Sequence, residues 1–159
     1  CKELLTKFGG HPMAAGLSLP TENIDLFRAK LNRQQTLTEK ELTPVTWIDV
    51  PMPVSYASKK LVEQLRVLEP FGKGNEKPVF ADRKLTVRSA NMIGKNKNVL
   101  KMQLEDTQGH VVDAIQFKVE EEDMPLRGKE ISIVYYPDIN EFRGNQTLQF
   151  IVQEWCYTT

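Results

Sequence analysis

Alternation of apolar and polar side chains is clearest in residues 84–105, which read KLTVRSANMIGKNKNVLKMQLE. An alternation with a period of two is typical of β-strands that bury one face. The central GKNKN segment carries the glycine and asparagine residues that favour a turn between two strands. These residues therefore predict a β-hairpin with the strands Lys84–Ile93 and Val99–Glu105.

The same alternation continues towards the end of the chain. Three further strands are predicted, His110–Phe117, Glu130–Ile139 and Gln146–Trp155, and a short helical turn over Val119–Met124 separates the first two of them. Five strands with a helix between the third and the fourth follow the order of an OB-fold. We therefore expect a five-stranded OB-like β-barrel over residues 82–159, and an SH3-like barrel is the alternative.

Positive charge is concentrated in the first two predicted strands and the turn between them. The basic residues of this region are Arg83, Lys84, Arg88, Lys95, Lys97 and Lys101. No acidic residue lies among them before Glu105. Because an OB-fold binds oligonucleotides on its second and third strands and the bordering loops, a cationic groove here would follow a phosphate backbone. We predict that Arg88, Lys95, Lys97 and Lys101 bind nucleic acid.

Planar side chains in the barrel region are candidates for stacking on bases. They are Phe117, Tyr135, Tyr136, Phe142 and Arg143. The structural alternative is that an aromatic residue at strand spacing belongs to the core, and that a lysine on a hairpin is merely solvated. The acidic run Glu120–Asp123 is predicted to face away from the nucleic acid, and His110 is assigned no role.

A second distinctive stretch lies near the start of the chain, where residues 8–16 read FGGHPMAAG. Two adjacent glycines favour a turn with positive φ and allow another group to approach the backbone closely. We expect His11 to leave this turn and Met13 to Ala15 to form one helical turn with exposed N–H groups. Such a group suits a phosphate or a carboxylate. The alternative is a structural turn with a surface histidine.

The region between these stretches mixes helix, strand and polar segments. A strand over Leu17–Pro20 precedes a helix that Thr21 or Asn23 begins, with Ile24, Phe27 and Leu31 on one face. After the polar segment 36–43, we predict an extended segment 45–54 and a helix that starts at Ser55 or Ser58 and ends before Pro70. We therefore divide the chain into residues 1–43, a linker over 44–81, and the barrel over 82–159.

Composition excludes several classes of protein. The chain has 159 residues, with 21 Lys+Arg and 21 Asp+Glu, so its net charge indicates no partner. Two cysteines, Cys1 and Cys156, form neither a zinc motif nor a disulfide framework. No apolar run has transmembrane length and no signal peptide is visible, so we expect a cytoplasmic protein without membrane contact. Because the chain opens with Cys1 rather than Met, we expect a fragment of a longer protein.

Two motifs carry a resemblance to a known family. Residues 8–16 resemble the Gly-Gly-His motif of the DHH-associated domain, which accompanies the DHH phosphoesterase domain. Residues 70–75, PFGKGN, followed by Pro78-Val79-Phe80 and the predicted barrel, resemble the RecJ-type single-strand-specific 5′→3′ exonucleases. The implied fold is α+β, with a partial DHH-associated α/β segment before the barrel. Gly72-Lys73-Gly74 lacks the spacing of a P-loop.

The resemblance implies a division of labour in a metal-dependent DNA exonuclease that acts in repair and recombination. Two Mn²⁺ or Mg²⁺ ions would be bound by an N-terminal DHH domain, whose Asp-His-His motif this chain lacks, so no metal ligand and no activity are expected here. Gly9 and Gly10 would bind the substrate phosphate, and His11 would be catalytic. Single-stranded DNA is the implied partner, with a helicase or a single-strand-binding protein as a further candidate.

Two other functions share part of this pattern. Oligoribonuclease-like and cyclic-dinucleotide phosphodiesterases carry the same Gly-Gly-His motif, although their short substrates need no strand-binding barrel. A non-catalytic OB-type module that binds single strands or proteins is the alternative from another class. In that case the glycine motif would be merely structural.

Overall fold

The computed structural model describes residues 1–158, and the chain forms two compact units, Cys1–Val45 and Thr46–Thr159. Together they give the predicted α+β class, because the first unit combines a strand pair with helices and the second is mostly sheet. Residues 46–81, which the sequence assigns to a linker, pack within the second unit. Each unit is described separately below.

The first unit consists of a β-ribbon followed by helices. Strands β1 (Lys7–His11) and β2 (Ala14–Ser18) are antiparallel. Helix α1 covers Ile24–Gln34 and helix α2 covers Glu39–Leu42, while Lys2–Leu4 and Thr21–Asn23 form single 3₁₀ turns. The predicted helix with Ile24, Phe27 and Leu31 on one face is α1, but neither Thr21 nor Asn23 caps it with a side-chain hydrogen bond.

The ribbon corrects the expected conformation of the glycine motif. Gly9 and Gly10 lie inside strand β1 without positive φ, and the turn is formed by Pro12 and Met13. The helical turn expected over Met13 to Ala15 is also wrong, because Ala14 begins β2. Small residues oppose one another across the ribbon, and this allows the two backbones to pair closely.

Helix α2 was missed in a segment that looked merely polar. Thr38 accepts a hydrogen bond from the Glu41 N–H, and the Glu41 carboxylate accepts one from the Thr38 N–H. This reciprocal arrangement is a capping box. The sequence contains the signature of this motif, Thr-x-x-Glu, at residues 38–41. No apolar run follows it, and for this reason the signature alone did not indicate a helix.

The second unit is built on six strands. They are β3 (Val50–Pro51), β4 (Phe80–Ile93), β5 (Val99–Glu105), β6 (Val111–Phe117), β7 (Glu130–Phe142) and β8 (Asn145–Tyr157). Strands β4 to β8 close a ring in which β4 pairs with β5, β5 with β6, β6 with β8, β8 with β7, and β7 with β4. All these pairs are antiparallel except β6 with β8. The expected five-stranded OB-like arrangement is confirmed.

The strand bounds follow the alternation closely, and β5 begins and ends at the predicted residues, Val99 and Glu105. Strands β7 and β8 run further than expected because they continue as a hairpin to a two-residue turn at Arg143-Gly144. Both turn residues have positive φ, as a tight hairpin of this kind requires. The short helix expected over Val119–Met124 is a single 3₁₀ turn, Glu121–Asp123.

The core lies inside the ring and collects every second residue of its strands. Its fully buried side chains are Leu85, Val87, Leu100, Met102, Leu104, Ile131, Ile133, Tyr135 and Phe150. Burial of apolar area at this density stabilises the barrel by the hydrophobic effect. Among the described residues, no polar or charged residue is fully buried.

Residues 46–81 close one side of the barrel. Helix α3 (Lys59–Leu65) begins at Ser58, whose hydroxyl accepts from the Leu61 N–H. Val54 is buried in the core, and its N–H donates to Asp82 at 2.7 Å. The extended segment predicted over residues 45–54 is reduced to β3, since single 3₁₀ turns cover Val54–Tyr56 and, after α3, Arg66–Leu68.

The PFGKGN segment forms a tightly bonded loop before β4. Gly72 and Asn75 exchange backbone hydrogen bonds, and the Asn75 side chain donates to the carbonyls of Leu68 and Pro70. Gly74 occupies the turn with φ of 85°, a value that favours glycine. The loop is therefore held in one shape by its own hydrogen bonds.

Candidate nucleic-acid interface

Strands β4, β5 and β6 present an outer face on which side chains of neighbouring strands stand in rows. Val99 pairs with Ile93 on one side and with Phe117 on the other, and Lys101 pairs with Ile115 in the next row. Phe117 keeps 56% of its surface exposed. An exposed aromatic ring beside lysines, on a sheet whose other face is the core, is suited to stacking on a base.

The turn between β4 and β5 adds two lysines to this face. Lys95 and Lys97 are both exposed, and the Lys97 N–H donates to the Gly94 carbonyl at 3.2 Å, which shapes the turn. Lys95, Lys97 and Lys101 form no ion pair with any described residue. Their charges are therefore available to a phosphate backbone.

Lys118 lies at the edge of this face, at the end of β6, and its side chain lines a cavity with Glu122, Asp123 and Glu154. It follows Phe117, has φ of 60°, and is exposed. The next residue, Val119, donates its N–H to the Asn98 carbonyl at 3.2 Å, which ties the end of β6 to the lysine-bearing turn. Lys118 was not predicted as a binding residue, and the only sign of it in the sequence was its position directly after Phe117. We call the following group the basic face: Lys95, Lys97, Lys101, Lys118, Phe117, Val99 and Ile115.

The predicted binding residue Arg88 lies outside the basic face. It sits at a bulge of β4 and forms an ion pair with Glu105, whose pKa is lowered by the guanidinium that it hydrogen-bonds. Asp113 stands nearby in the row of Gln103. The far end of β5 and β6 is therefore neutral or acidic, and positive charge is confined to the end that carries the turn.

Two other predicted residues come together at the tip of the β7–β8 hairpin. The Arg143 guanidinium lies 5.1 Å from the centre of the Phe142 ring, and Phe142 is 65% exposed. Asn145 lies seven residues before Val152, which pairs with Gln116 beside Phe117. At about 3.3 Å per residue the tip is roughly 23 Å along the sheet from the basic face. The structure thus separates two groups that the sequence listed as one.

Tyr135 is corrected from a stacking residue to a core residue. Its ring is fully buried between Phe80 and Phe150, and its hydroxyl donates to the Met52 carbonyl at 2.9 Å. Burial, aided by the charge of Asp82, raises the pKa of this hydroxyl. The ring is inaccessible to a base because a strand residue of the inward phase belongs to the core.

Tyr136, on the outward phase, also has a partner within the chain. Lys77 places its ammonium 4.1 Å from the centre of the Tyr136 ring and approaches Phe71 and Asp138 as well. Burial, together with the charge of Asp138, raises the pKa of the Tyr136 hydroxyl. The ring thus fastens the PFGKGN loop to β7 instead of standing free.

The Gly-Gly-His motif forms a separate candidate site on the β-ribbon of the first unit. A Cβ added to Gly10 would lie 2.6 Å from the Ala14 carbonyl oxygen and 2.7 Å from the Ala15 Cα. A Cβ added to Gly9 would meet nothing within 4 Å. Gly10 is therefore needed by the ribbon, whereas Gly9 leaves an open space over the backbone into which a ligand can fit.

His11 ends β1 with its imidazole exposed. The Met13 N–H donates to Nδ1 of this ring at 3.2 Å. One side of the ribbon and helix α1 enclose an apolar groove of about 700 Å³, lined by Phe8, Phe27 and Leu31 among others. Gly9, Gly10 and His11 thus lie next to one another on strand β1, and not in the turn that the sequence predicted.

Residues 1–158 contain neither a metal-binding cluster nor a membrane-spanning helix. No cluster of three or more His, Cys, Asp or Glu side chains is arranged to hold a metal ion. No helix combines the length and the apolar character needed to cross a membrane.

Known proteins resemble this chain along nearly its whole length. It is 37% identical over 153 residues to the single-stranded-DNA-specific exonuclease RecJ of Haemophilus influenzae and 32% identical over 157 residues to that of Bacillus subtilis. These alignments cover 94% and 97% of this chain but only 26% and 20% of the relatives. The chain therefore spans about a quarter of the length of the curated relatives it matches.

A solved structure and a family model agree with these relatives. The fold matches RecJ from Thermus thermophilus in complex with Mn²⁺ with a TM-score of 0.68 and 19% identity, over 99% of this chain and 23% of that one. The family model described as the RecJ OB domain matches residues 48–154, which include the ring of strands and most of the segment before it. This chain belongs to the RecJ OB domain family.

Proposed function

We propose that this chain is the C-terminal, substrate-binding portion of a single-strand-specific 5′→3′ DNA exonuclease of the DHH phosphoesterase superfamily. The observation that carries the proposal is the basic face, which combines four lysines that form no ion pair with a described residue and the exposed ring of Phe117. The names of the curated relatives support the same substrate. DNA repair and recombination are the processes in which such an enzyme would act.

The proposed role of the barrel is to bind the single strand, while the chemistry takes place on other residues. Lysine ammonium groups would neutralise phosphates and release bound counterions, so affinity would fall as salt rises. Phe117 would stack on one base, and its tolerance of any base suits an enzyme that digests every sequence. The Phe142–Arg143 tip would offer a second planar contact further along the strand.

The proposed role of the Gly-Gly-His ribbon is to hold the phosphate that is attacked. The open backbone at Gly9 would let the phosphate approach, and the His11 ring would donate a hydrogen bond to it. Mn²⁺ or Mg²⁺, held by a DHH domain elsewhere in the full protein, would activate the attacking water and stabilise the leaving oxygen. The two Thermus thermophilus structures, in complex with Mn²⁺ and with Mg²⁺, support this choice of metals.

The binding test uses the 159-residue chain and a fluorescent oligonucleotide at several salt concentrations. We expect weak binding to single-stranded DNA with marked salt dependence. Replacing both Lys95 and Lys97 with alanine should lower the affinity and reduce the slope of log K against log salt by roughly two. Lys129→Ala is the matched control, because Lys129 is exposed at the start of β7, away from the turn. Salt-independent or absent binding would contradict the proposal.

The catalytic test uses the full-length protein. His11→Ala should lower turnover much more than DNA binding, whereas Lys95→Glu with Lys97→Glu should mainly weaken binding. The opposite pattern would mean that the two sites have exchanged roles. Equal activity on dinucleotides and long strands would favour an oligoribonuclease-like or cyclic-dinucleotide enzyme, and unaltered hydrolysis by the His11 variant would favour a binding module without a catalytic ribbon.

Three further parts of the proposal have their own tests. The 159-residue chain alone should release no nucleotides with Mn²⁺ or Mg²⁺, because it lacks the Asp-His-His motif of the family. A cytoplasmic location and docking of a helicase or a single-strand-binding protein follow from the resemblance. Localisation of the tagged full-length protein and co-purification with those partners would test them.

A further inference from the structure

The turn after β1 contains a hydrogen bond that involves the proposed catalytic side chain itself. His11 and Ala14 are paired at the end of the ribbon, and the turn between them has only two residues, Pro12 and Met13. The Met13 N–H donates to His11 Nδ1 with a distance of 3.2 Å between the nitrogens. Asparagine and aspartate side chains commonly accept from the N–H two residues ahead in the same way.

This hydrogen bond selects one form of the ring. A neutral imidazole has one N–H donor and one acceptor nitrogen, whereas an imidazolium has two donors. Because a backbone N–H can only donate, Nδ1 must be unprotonated to accept it. The single ring proton then resides on Nε2, for which no acceptor exists among the residues that the structure describes.

The ribbon holds the turn that supplies this N–H in place. Proline at residue 12 restricts φ in the first turn position. Gly10, the residue before His11, lies against the Ala14 carbonyl oxygen and Ala15, so the two strands cannot separate or slip without losing this close pairing. The position of the Met13 N–H relative to the His11 backbone is therefore set by the turn, within reach of Nδ1.

We propose that Met13 is a positioning residue, whose backbone N–H keeps the His11 ring in the tautomer that carries its proton on Nε2. This inference rests on the proposed function of His11 as a contact to the substrate phosphate. In this tautomer the ring can donate Nε2–H to a phosphate oxygen. The turn thus presents one directed donor and prevents the ring from offering Nδ1–H instead.

The first experiment measures the tautomer directly in the 159-residue chain. With ¹⁵N-labelled histidine at a pH where the ring is neutral, we expect the shifts of an acceptor Nδ1 and a protonated Nε2 at His11. Replacing the amide of residue 13 with an ester removes the N–H and should give a mixture of both tautomers. Met13→Ala, which keeps the amide, should leave the shifts unchanged. A proton on Nδ1, or no change in the ester variant, would overturn the proposal.

The second experiment separates the two ring nitrogens in the full-length enzyme. Asparagine at residue 11 can still accept from the Met13 N–H but does not reach the position of Nε2, whereas glutamine can place its amide N–H near that position. We expect the kcat/KM of His11→Gln to be about tenfold higher than that of His11→Asn. A factor of this size corresponds to one hydrogen bond to a charged group.

The outcomes of the two experiments are distinguishable. His11→Asn equal to or better than His11→Gln would overturn the assignment of the donor to Nε2. Wild-type activity in both variants would contradict the proposed function of His11. The nitrogen shifts of the free chain would still test the positioning role of Met13, since they require neither metal nor substrate.

Discussion

Gly10 faces Ala15 across the β1–β2 ribbon so closely that a Cβ on Gly10 would lie 2.7 Å from the Ala15 Cα. The nearest atoms are backbone or Cβ atoms, which cannot rotate away. Gly10→Ala should therefore destabilise the first unit by about 1–3 kcal/mol, as overpacking does. Hydrogen exchange of the ribbon amides would measure the loss.

Gly9→Ala is the matched control, because a Cβ at Gly9 would meet nothing within 4 Å. The ribbon amides should keep their protection in this variant, while nuclease turnover of the full-length protein should fall because the methyl group occupies the space proposed for the phosphate. Equal loss of protection in both variants would contradict the distinction between the two glycines.

Phe117 and Phe142 should respond differently to the length of the DNA. Phe117→Leu should weaken binding of both short and long strands by about 1–3 kcal/mol, the value of one base stacked on an aromatic ring. Phe142→Leu should weaken only the long strands, since the hairpin tip lies far from the basic face. Titration with oligonucleotides of about four and about sixteen nucleotides would test this. Loss of short-strand affinity in the Phe142 variant would refute the separation.

Tyr135→Phe should lower the free energy of unfolding without changing DNA binding. The buried hydroxyl donates to the Met52 carbonyl, and its removal leaves that acceptor unpaired at a cost of about 1–2 kcal/mol. Tyr136→Phe is the control, because its ring retains the contact with Lys77 and its hydroxyl has no hydrogen bond to a described residue. Urea unfolding followed by tryptophan fluorescence would measure both, and a larger effect for Tyr136 would contradict the prediction.

Ionisation of Asp106 should make the free energy of unfolding of the barrel depend on pH. Burial opposes its ionisation, but hydrogen bonds from the His110 and Gln108 backbone and from the His110 ring outweigh burial and lower the pKa of Asp106. A carboxyl whose pKa is lower in the folded state stabilises it at neutral pH, and this contribution is lost as the pH falls through the folded value. Asp106→Asn should therefore be less stable than the wild type near pH 7, with the difference shrinking towards low pH. Urea unfolding at several pH values would measure this difference in stability, and a difference that stays constant with pH would contradict the prediction.

Local pattern was enough to predict the barrel, because a strand that buries one face must alternate along its own length. Residues 99–105 show this alternation and form β5 with the predicted bounds. The ring order followed from the number of strands and the turn between the third and fourth of them. The Gly-Gly-His and PFGKGN motifs could likewise be recognised from the sequence alone, because each is a short run of residues that rarely occur together.

The conformation of the glycine motif was not predictable from that run. Two glycines are compatible with a turn or with a strand, and only the pairing of Gly10 with Ala15 selects the strand. Likewise Tyr135 and Tyr136 are adjacent and chemically identical. The phase of β7 in the ring sends the first into the core and leaves the second outside with Lys77.

The sequence by itself determined the strands, the family resemblance and a set of candidate residues for contacting DNA. Tertiary structure decided which of them are available together: it pairs Arg88 with Glu105, joins Lys118 to the lysine turn, and moves Phe142 away to a hairpin tip. The physical reason is that charge and aromaticity belong to single residues, whereas exposure, pairing and proximity depend on partners distant in the chain.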